Sequence, residues 1–569
     1  MKKLLLLTII GLIAVAAVAC SKDTGTFPTP ASELPVATSE AQPPATPPAQ
    51  AMEKEKDTSN GSEPITEPPA GGVFRRLWAD PPTLDPALVT DTTSAGVIVE
   101  IFSGLVTINT DLQLVPDLAE SWTISEDGLV YTFKIRDDAK FHDGKPVTAN
   151  DFKWSIERTA NPKTASPVAD TYLSDIVGVK DVLDGVKTNI DGIKVIDDHT
   201  IQFTIDAPKA YFLAKLTYPT AYVLDRENVE EGGRTWTDHP NGTGPFKLKE
   251  YRIGERIVLE RNPYYTREQG GVETILMQLA GGQSMAMYEN NEIDVTGVGL
   301  FDLERVQDPN EALNRELVIA PASFNISYVG FNTAMPPFDD PKFRQALNHA
   351  VDKELISREV LSNLVRPAYG VLPPGFPGYN PDLVGLKYDP DLAKRLLSES
   401  KYSDPDARPR IVLTVPGTGG TVGLDLEVVL EMWRQVLGVQ VEIQQVEWAT
   451  FLQDLNRQRY QAFAGLGWEA DYPDPQDFLD ILFHTDSSLN HGGYSNTQAD
   501  AILEKARVEQ DVQARVALYR EAEELIVADA AWVPLWFESE NYVLIKPYVK
   551  GYRLTPMIVP KLRQIRIEK

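Results

Sequence analysis

Strand-like and helix-like apolar patterns alternate along the chain from Val73 to Lys569, and this alternation constrains the fold more than any other feature of the sequence. Two stretches carry apolar residues at every second position, as half-buried strands do: Tyr131, Phe133 and Ile135, and Ile201, Phe203 and Ile205. Two others repeat every three or four residues, as amphipathic helices do: Phe343, Ala346, Leu347, Ala350 and Val351, and Leu518, Ala522, Leu525 and Ile526. The sequence therefore predicts an α/β fold with mixed sheets.

The N-terminus has the layout of an export signal. Lys2 and Lys3 precede an apolar stretch from Leu4 to Ala19, which ends in small residues before Cys20. This stretch is slightly shorter than the roughly 20 apolar residues that a membrane-spanning helix needs, although length alone leaves a retained membrane anchor open as an alternative. We therefore predict that residues 1–20 are a signal peptide and not part of the fold.

Residues 21–72 have the composition of a tether. They hold ten of the 42 prolines together with Ser, Thr, Ala and Glu, and Phe27 is their single aromatic residue. Such a segment cannot bury enough apolar surface to offset its ordering entropy, and its prolines favour extended chain. We expect a disordered tether here and a globular body that begins near Val73.

Charge and motif content exclude several classes of function. Acidic residues outnumber basic ones by 82 to 54, and the net charge of −28 argues against a nucleic-acid partner. One cysteine allows neither an intrachain disulfide nor a Cys-rich metal cluster. Nucleophile-elbow, zinc-protease, phosphate-loop and dinucleotide motifs are all absent from the sequence. The sequence therefore predicts no enzyme, no cofactor and no metal.

A long ordered motif occupies residues 117–152. It contains these runs: Asp117-Leu118-Ala119-Glu120-Ser121-Trp122, Asp127-Gly128-Leu129-Val130-Tyr131-Thr132-Phe133 and Phe141-His142-Asp143-Gly144-Lys145-Pro146-Val147. Shorter runs follow: Asn241-Gly242-Thr243-Gly244-Pro245-Phe246, Gly330-Phe331-Asn332 and Trp468-Glu469-Ala470-Asp471-Tyr472. Together they resemble the bacterial peptide/nickel-type extracellular solute-binding proteins, the receptors of ABC importers, and above all the oligopeptide-binding members.

The resemblance implies a two-lobed clamp with an additional domain, like that of periplasmic binding proteins. Lobe I would combine residues 73–102, 243–300 and 541–569, and the additional domain would span residues 103–242. Lobe II would span residues 301–540, so that two chain crossings near residues 300 and 540 form a hinge. The family also implies a monomer.

The resemblance also implies a ligand site between the lobes. Asp471 matches the family's aspartate that pairs with a peptide's ammonium group, although an aspartate here could instead cap the following turn. Trp468 would line the cleft, with the backbone of Gly467 and Glu469 beside it, or it would be a core residue. The residues Thr90, Asp91 and Thr92 would add main-chain contacts.

Two further residues have roles that the sequence leaves open. Arg457 is a candidate partner for the ligand's carboxylate, or else part of a solvated face. Ala17-Val18-Ala19-Cys20 resembles a bacterial lipobox, which implies that Cys20 carries lipid and holds the protein at a membrane surface.

The leading interpretation is a lipid-anchored, extracytoplasmic receptor that captures oligopeptides and delivers them to the permease subunits of an ABC transporter. The same clamp could bind another solute handled by relatives, such as a nickel chelate, haem, a sugar or an opine. A secreted peptidase and a surface adhesion or signalling module are alternatives from other classes. The first lacks a nucleophile or metal motif, and only the tether and the anchor favour the second.

Overall fold

The computed structural model of the protein describes residues 72–569, so the predicted signal peptide, the tether and Cys20 lie outside the described residues. Strands and helices alternate through the described chain in three separate multistranded sheets, which confirms the predicted α/β class. Among residues 72–569, no helix is both long and apolar enough to cross a bilayer.

Lobe I is built on a seven-stranded mixed sheet. Its strands, in spatial order, are Leu317–Ala320, Asn541–Ile545, Val295–Gly297, Val73–Leu77, Thr274–Gln278, Arg256–Arg261 and Phe246–Arg252. Val73–Leu77 pairs in parallel with both of its neighbours, and the other pairs are antiparallel. The lobe also contains these elements: helices Thr92–Ile101, Ser284–Glu289 and Leu303–Gln307, 3-10 turns Ala312–Glu316 and Leu562–Gln564, and paired strands Val549–Lys550 and Arg566–Ile567.

The first crossing between the lobes comes later in the chain than the expected position near residue 300. Leu317–Ala320 is the edge strand of the lobe I sheet because it pairs antiparallel with Asn541–Ile545. Residues 301–320 therefore belong with lobe I, and the chain leaves that lobe after Ala320. The second crossing lies just before Asn541, close to the expected residue 540.

The additional domain has its own antiparallel sheet and its own apolar core. The four strands, in spatial order, are Ala119–Ile124, Val130–Ile135, Thr200–Thr204 and Ile193–Asp197, and a separate pair joins Val106–Ile108 to Leu114–Pro116. Tyr131, Phe133 and Ile135 all point into this core, which confirms the predicted alternation. The helices and 3-10 turns are Ala149–Ala160, Ala169–Leu173, Val179–Leu183, Phe212–Lys215, Pro219–Ala221, Arg226–Gly232 and Gly233–Asp238.

Lobe II contains a second seven-stranded mixed sheet. Six strands follow the order Val365–Pro367, Trp532–Glu538, Asn325–Phe331, Ala462–Phe463, Val412–Pro416 and Glu442–Val446, and Gly467–Glu469 also pairs with Asn325–Phe331. The lobe also contains these helices and helical turns: Pro341–His349, Lys353–Leu355, Ile356–Val360, Pro390–Ser398, Leu424–Leu437, Trp448–Asn456, Pro475–Asp477, Asp480–Phe483, Thr497–Val508 and Val512–Ala528.

Both helices predicted in lobe II are present. In Pro341–His349 the apolar face is buried, and the helix begins at a proline behind the capping residue Asp340, whose Oδ1 accepts the Lys342 N–H at 2.9 Å. The second helix, Val512–Ala528, buries Ala522 and Ile526. Periodicity alone was sufficient to place both elements.

The two crossings between the lobes lie side by side. Ala320 and Asn541 are direct partners in the lobe I sheet, so the chain leaves and re-enters lobe I at neighbouring points. The Glu538 carboxylate joins the two crossing segments because its Oε2 accepts hydrogen bonds from Ser323 Oγ at 2.8 Å and from Asn541 Nδ2 at 2.9 Å. The two segments at which the expected hinge would lie are therefore bonded to each other.

The lobes are close together over the rest of their facing surfaces. The largest buried apolar cluster is continuous across all three domains, with Ile98, Tyr172 and Tyr472 among its members. A hydrogen bond of 2.8 Å joins Thr171 of the additional domain to Ser488 of lobe II. The structure is therefore a clamp in a closed arrangement.

Candidate ligand site between the lobes

Asp471 follows the short strand Gly467–Glu469, which runs antiparallel to Asn325–Phe331. The turn after it is capped by Asp474, whose Oδ1 accepts the Gln476 N–H at 3.0 Å. The capping role considered for Asp471 is thus performed by another aspartate. The Asp471 side chain turns instead toward the additional domain.

Two tyrosines of the additional domain connect Asp471 to lobe I. The Tyr172 hydroxyl donates a hydrogen bond to Asp471 Oδ2. The Tyr172 ring stacks on Tyr218 with a centroid separation of 3.6 Å, and the Tyr218 hydroxyl donates to the Val89 carbonyl oxygen at 2.9 Å. A chain of contacts therefore runs from lobe II through the additional domain to the segment just before Thr90.

Asp471 is a carboxylate without a cationic partner. Within the described chain it forms no ion pair, and Tyr172 is the only group that bonds to its side chain. Burial raises the pKa of Asp471 from 3.8 to about 7, and the Tyr172 hydrogen bond lowers it in part. A cation that entered the gap would remove the cost of ionising this group.

A second carboxylate lies behind the first. Asp477 is fully buried, and its Oδ2 accepts the Asp471 N–H at 2.9 Å, while its Oδ1 has no described partner. Burial, followed by the negative charge of Asp471, raises the pKa of Asp477 far above its usual value. The two carboxyl groups are therefore coupled, and ionisation of either one disfavours ionisation of the other.

The lobe I side of the site is the start of helix Thr92–Ile101. Asp91 caps this helix, and its Oδ1 accepts the Ser94 N–H at 2.9 Å while Oδ2 is buried without a hydrogen-bond partner. Burial raises the pKa of Asp91, and hydrogen bonding to Ser94 and the approach of Trp448 from lobe II offset this in part. Thr90 and Thr92 flank it, half-buried.

The three residues of the strand Gly467–Glu469 have three different environments. The Trp468 indole is half-buried, and its Nε1 is enclosed without a hydrogen-bond partner. Gly467 is exposed, and a Cβ there would lie 2.7 Å from the Ile326 carbonyl oxygen, so this strand pairing requires glycine. Glu469 lines a cavity of about 30 Å³ together with the lobe I residue Arg76, which brings both lobes to one small space.

Arg457 lies apart from this group. It is exposed just beyond the end of helix Trp448–Asn456, roughly 13 Å along the axis from Trp448 at 1.5 Å per residue. Its backbone N–H donates to the Asp454 carbonyl oxygen at 3.2 Å. The exposed position agrees with the solvated face considered for it, and within the described chain no hydrogen bond or ion pair joins Arg457 to Asp471.

Sequence reasoning missed three residues of this site: Tyr172, Tyr218 and Asp477. Asp477 could have been noticed in the acidic run that begins at Asp471, since two carboxylates six positions apart flank one turn. The tyrosines gave no local signal, because each is defined by a partner in a different domain. Across residues 72–569, no cluster of three or more His, Cys, Asp or Glu side chains is arranged to hold a metal ion.

Comparison with known proteins gives consistent matches over nearly the whole described chain. Residues 113–490 match the family model described as bacterial extracellular solute-binding proteins, family 5 Middle. The periplasmic oligopeptide-binding protein OppA of Escherichia coli (strain K12) is 33% identical over 496 residues, which cover 84% of this chain and 89% of that protein.

Two further proteins from Escherichia coli match over a similar extent. The probable deoxycholate-binding periplasmic protein YgiS (strain K12) is 32% identical over 496 residues, which cover 85% of this chain and 91% of that protein. The structure of the murein tripeptide binding protein MppA superposes with a TM-score of 0.79 at 28% identity, covering 89% of this chain and all of the other.

Proposed function

The chain belongs to family 5 of the bacterial extracellular solute-binding proteins, and from this membership we propose that it captures oligopeptides between its lobes and delivers them to the permease subunits of an ABC transporter. In this role the protein is a receptor and performs no catalysis. Binding of a ligand that contacts both lobes stabilises the closed arrangement, which a transporter can distinguish from the open one.

One observation carries the peptide assignment. Asp471 lies where lobe II meets the additional domain, and within the described chain it has no cationic partner. An enclosed carboxylate of this kind favours a ligand that brings its own positive charge. The amino terminus of a peptide supplies an ammonium group, which would donate to the Asp471 carboxylate in place of the Tyr172 hydroxyl.

The strand beside Asp471 supports recognition of a peptide backbone. Gly467–Glu469 pairs with Asn325–Phe331 on one side, and no other described strand pairs with it. An extended ligand can add to such an edge through main-chain hydrogen bonds, which hold peptides of different sequence equally well. On the lobe I side, Thr90, Asp91 and Thr92 would complete the enclosure.

We further propose that the receptor works outside the cytoplasm as a monomer on a lipid anchor. The relatives OppA and YgiS are named as periplasmic proteins. A lipidated Cys20 would hold the body at a membrane, and residues 21–72 would let it reach the permease. Two or three acyl chains, at about 0.8 kcal/mol per buried methylene, would provide stable attachment.

The experiment that tests the function is retention of ligand from a mixture. Purified protein would be incubated with a defined peptide library, separated from unbound material, denatured and analysed by mass spectrometry. We expect intact peptides with free amino termini to be retained. Retention only of a nickel chelate, haem, a sugar, an opine or a bile acid from parallel mixtures would contradict the peptide assignment, and cleaved peptides would indicate a peptidase.

A further inference from the structure

Lobe II contains a cavity of about 430 Å³ whose lining residues all belong to that lobe. It lies beside the edge strand Val365–Pro367 of the lobe II sheet and is bounded there by Pro367 and Phe537. Its volume falls within the range of small-ligand pockets, roughly 300–1,000 Å³. The ligand site between the lobes shares none of these residues.

The floor of the cavity is a carboxylate that is only half satisfied. Glu523 lies in helix Val512–Ala528 and is 2% exposed. Its Oε1 accepts the N–H groups of Val371 and Leu372 at 2.7 and 2.9 Å. Within residues 72–569, Oε2 has no hydrogen-bond partner and the side chain forms no ion pair.

The nearest cation on the same helix is committed elsewhere. Arg520 donates to the carbonyl oxygens of Gly378 and Tyr379 at 3.0 and 2.6 Å, and it acts on Glu523 only through its charge. A buried carboxylate is costly unless it is neutral or paired. Because burial raises the pKa of Glu523 to about 7, the group is poised to ionise when a cation arrives.

The walls of the cavity are aromatic, and apart from Glu523 its charged lining residues are one glutamate and one lysine. Three tyrosine rings line it, Tyr369, Tyr379 and Tyr388, in addition to the Phe537 ring. On the rim, Glu354 accepts a hydrogen bond from the Tyr369 hydroxyl at 3.3 Å, and the Lys387 ammonium lies 5.8 Å from the same ring. These two charges are opposite in sign, so Glu523 is the third and remaining charged residue of the lining.

A buried lysine adjoins the aromatic wall without reaching the floor. Lys353 donates to the Ala368 carbonyl oxygen at 2.9 Å, and its ammonium lies 5.1 Å from the Tyr369 ring. Burial lowers the pKa of Lys353 to about 7, so the residue is a weak source of positive charge at neutral pH. Tyr379 and Tyr388 are the rings that remain to receive a ligand.

We propose that this cavity is a second binding site, for an organic cation in which an ammonium or guanidinium group is attached to a small apolar body. Glu523 Oε2 would bind the cationic group, and the tyrosine rings would pack against the apolar body and attract the charge through their faces. The site is independent of the proposed peptide site, since it lies within one lobe and does not depend on closure.

Binding of benzylamine to the purified protein at about pH 8 tests this site. Saturation-transfer NMR would detect contact, and calorimetry would measure affinity, for the wild type and for Glu523→Gln, Glu524→Gln and Asp471→Ala. We expect the affinity for benzylamine to fall at least tenfold in Glu523→Gln, because the substitution removes one member of a buried charged pair. Glu524→Gln, an exposed neighbour on the same helix, should bind benzylamine as the wild type does, and Asp471→Ala should retain the binding event that Glu523→Gln loses.

Other outcomes would overturn the proposal. The wild type would fail to bind benzylamine, Glu523→Gln would bind it with the wild-type affinity, Asp471→Ala would lose all benzylamine binding, or the protein would prefer phenylacetate, the anionic counterpart of the probe. If Glu523→Gln fails to fold by circular dichroism, Tyr388→Ala decides the question. That half-buried residue lies on a loop, and its loss should weaken benzylamine binding while the melting temperature stays near that of the wild type.

Discussion

The Tyr172 hydroxyl donates its hydrogen bond to Asp471 across a domain boundary, between residues 299 positions apart in the chain. This contact joins the additional domain to lobe II. It also uses the same carboxylate that we propose for the ligand's ammonium group. Contact between the domains and capture of the ligand would therefore both depend on the Asp471 carboxylate.

Replacement of Asp471 by alanine should weaken peptide binding by well over tenfold. Loss of one partner from a buried charged pair costs about 2–5 kcal/mol. Calorimetry with a tripeptide measures the effect, and the same peptide with an acetylated amino terminus is the control. The acetylated peptide should bind wild type and Asp471→Ala equally weakly, and a similar loss for both peptides would show that Asp471 does not read the ammonium group.

Peptide affinity should rise with pH up to about 7, because the ligand's ammonium pairs with the ionised form of Asp471, whose pKa is raised to about 7. Below that value the gain should approach tenfold per pH unit, with release of a proton on binding. Without added peptide, the free energy of unfolding should change with pH in the opposite direction and fall as the pH rises. The raised carboxyl pKa favours the folded state below about 3.8, and this contribution is lost as the pH rises through 7.

Measurement of this pH dependence requires dissociation constants from about pH 5 to pH 8 and calorimetry in buffers of different ionisation enthalpy. Asp471→Asn is the matched variant, and its affinity should be lower and flat over the same interval. An equally steep profile in Asp471→Asn would assign the titration to another group.

Tyr172→Phe should shift the protein toward the open arrangement when no peptide is added. A hydrogen bond to a charged group contributes about 1.5–3 kcal/mol, which corresponds to roughly a ten- to a hundredfold change in the ratio of open to closed molecules. Small-angle X-ray scattering would report a larger radius of gyration. Tyr218→Phe removes a bond to Val89 that does not involve lobe II, so its scattering should match the wild type.

Arg515→Ala should destabilise lobe II by about 3–5 kcal/mol, because it leaves Asp474 buried and unpaired. The guanidinium forms two hydrogen bonds with this carboxylate, at 2.8 and 3.0 Å, and both side chains are at most 10% exposed. Urea denaturation measures the free energy of unfolding. Arg410→Ala removes the exposed pair with Glu442 and should cost less than about 1 kcal/mol.

The sequence was sufficient to predict those strands and helices that a local pattern of apolar residues defines. The strand Val130–Ile135 and the helix Pro341–His349 are each specified by apolar spacing over a few residues. The position of the first crossing could not be predicted in this way. Leu317–Ala320 is assigned to lobe I only by pairing with Asn541–Ile545, far along the chain.

The site was predictable to the same limited extent. Asp471 and Trp468 could be chosen because they lie in one short motif. In the structure Asp471 contacts Tyr172 of the additional domain, and Trp468 is half-buried against the apolar cluster that spans the domains. Tyr172 and Tyr218 could not, since nothing in their own segment distinguishes them from core residues. Arg457 was chosen by nearness in sequence, and the structure places it at the far end of a helix.

The pairing of Ala320 with Asn541 has a consequence for how such receptors diversify. Residues 321–540 are therefore inserted between two adjacent positions of the lobe I sheet, and the strands of that sheet all lie outside the inserted segment. Recombination at two adjacent splice points would exchange the whole of lobe II, including Asp471, Trp468 and the tyrosine-lined cavity, for that of a homologue. The remainder of the molecule would keep all its strands, so new cargo preferences could be acquired as one cassette.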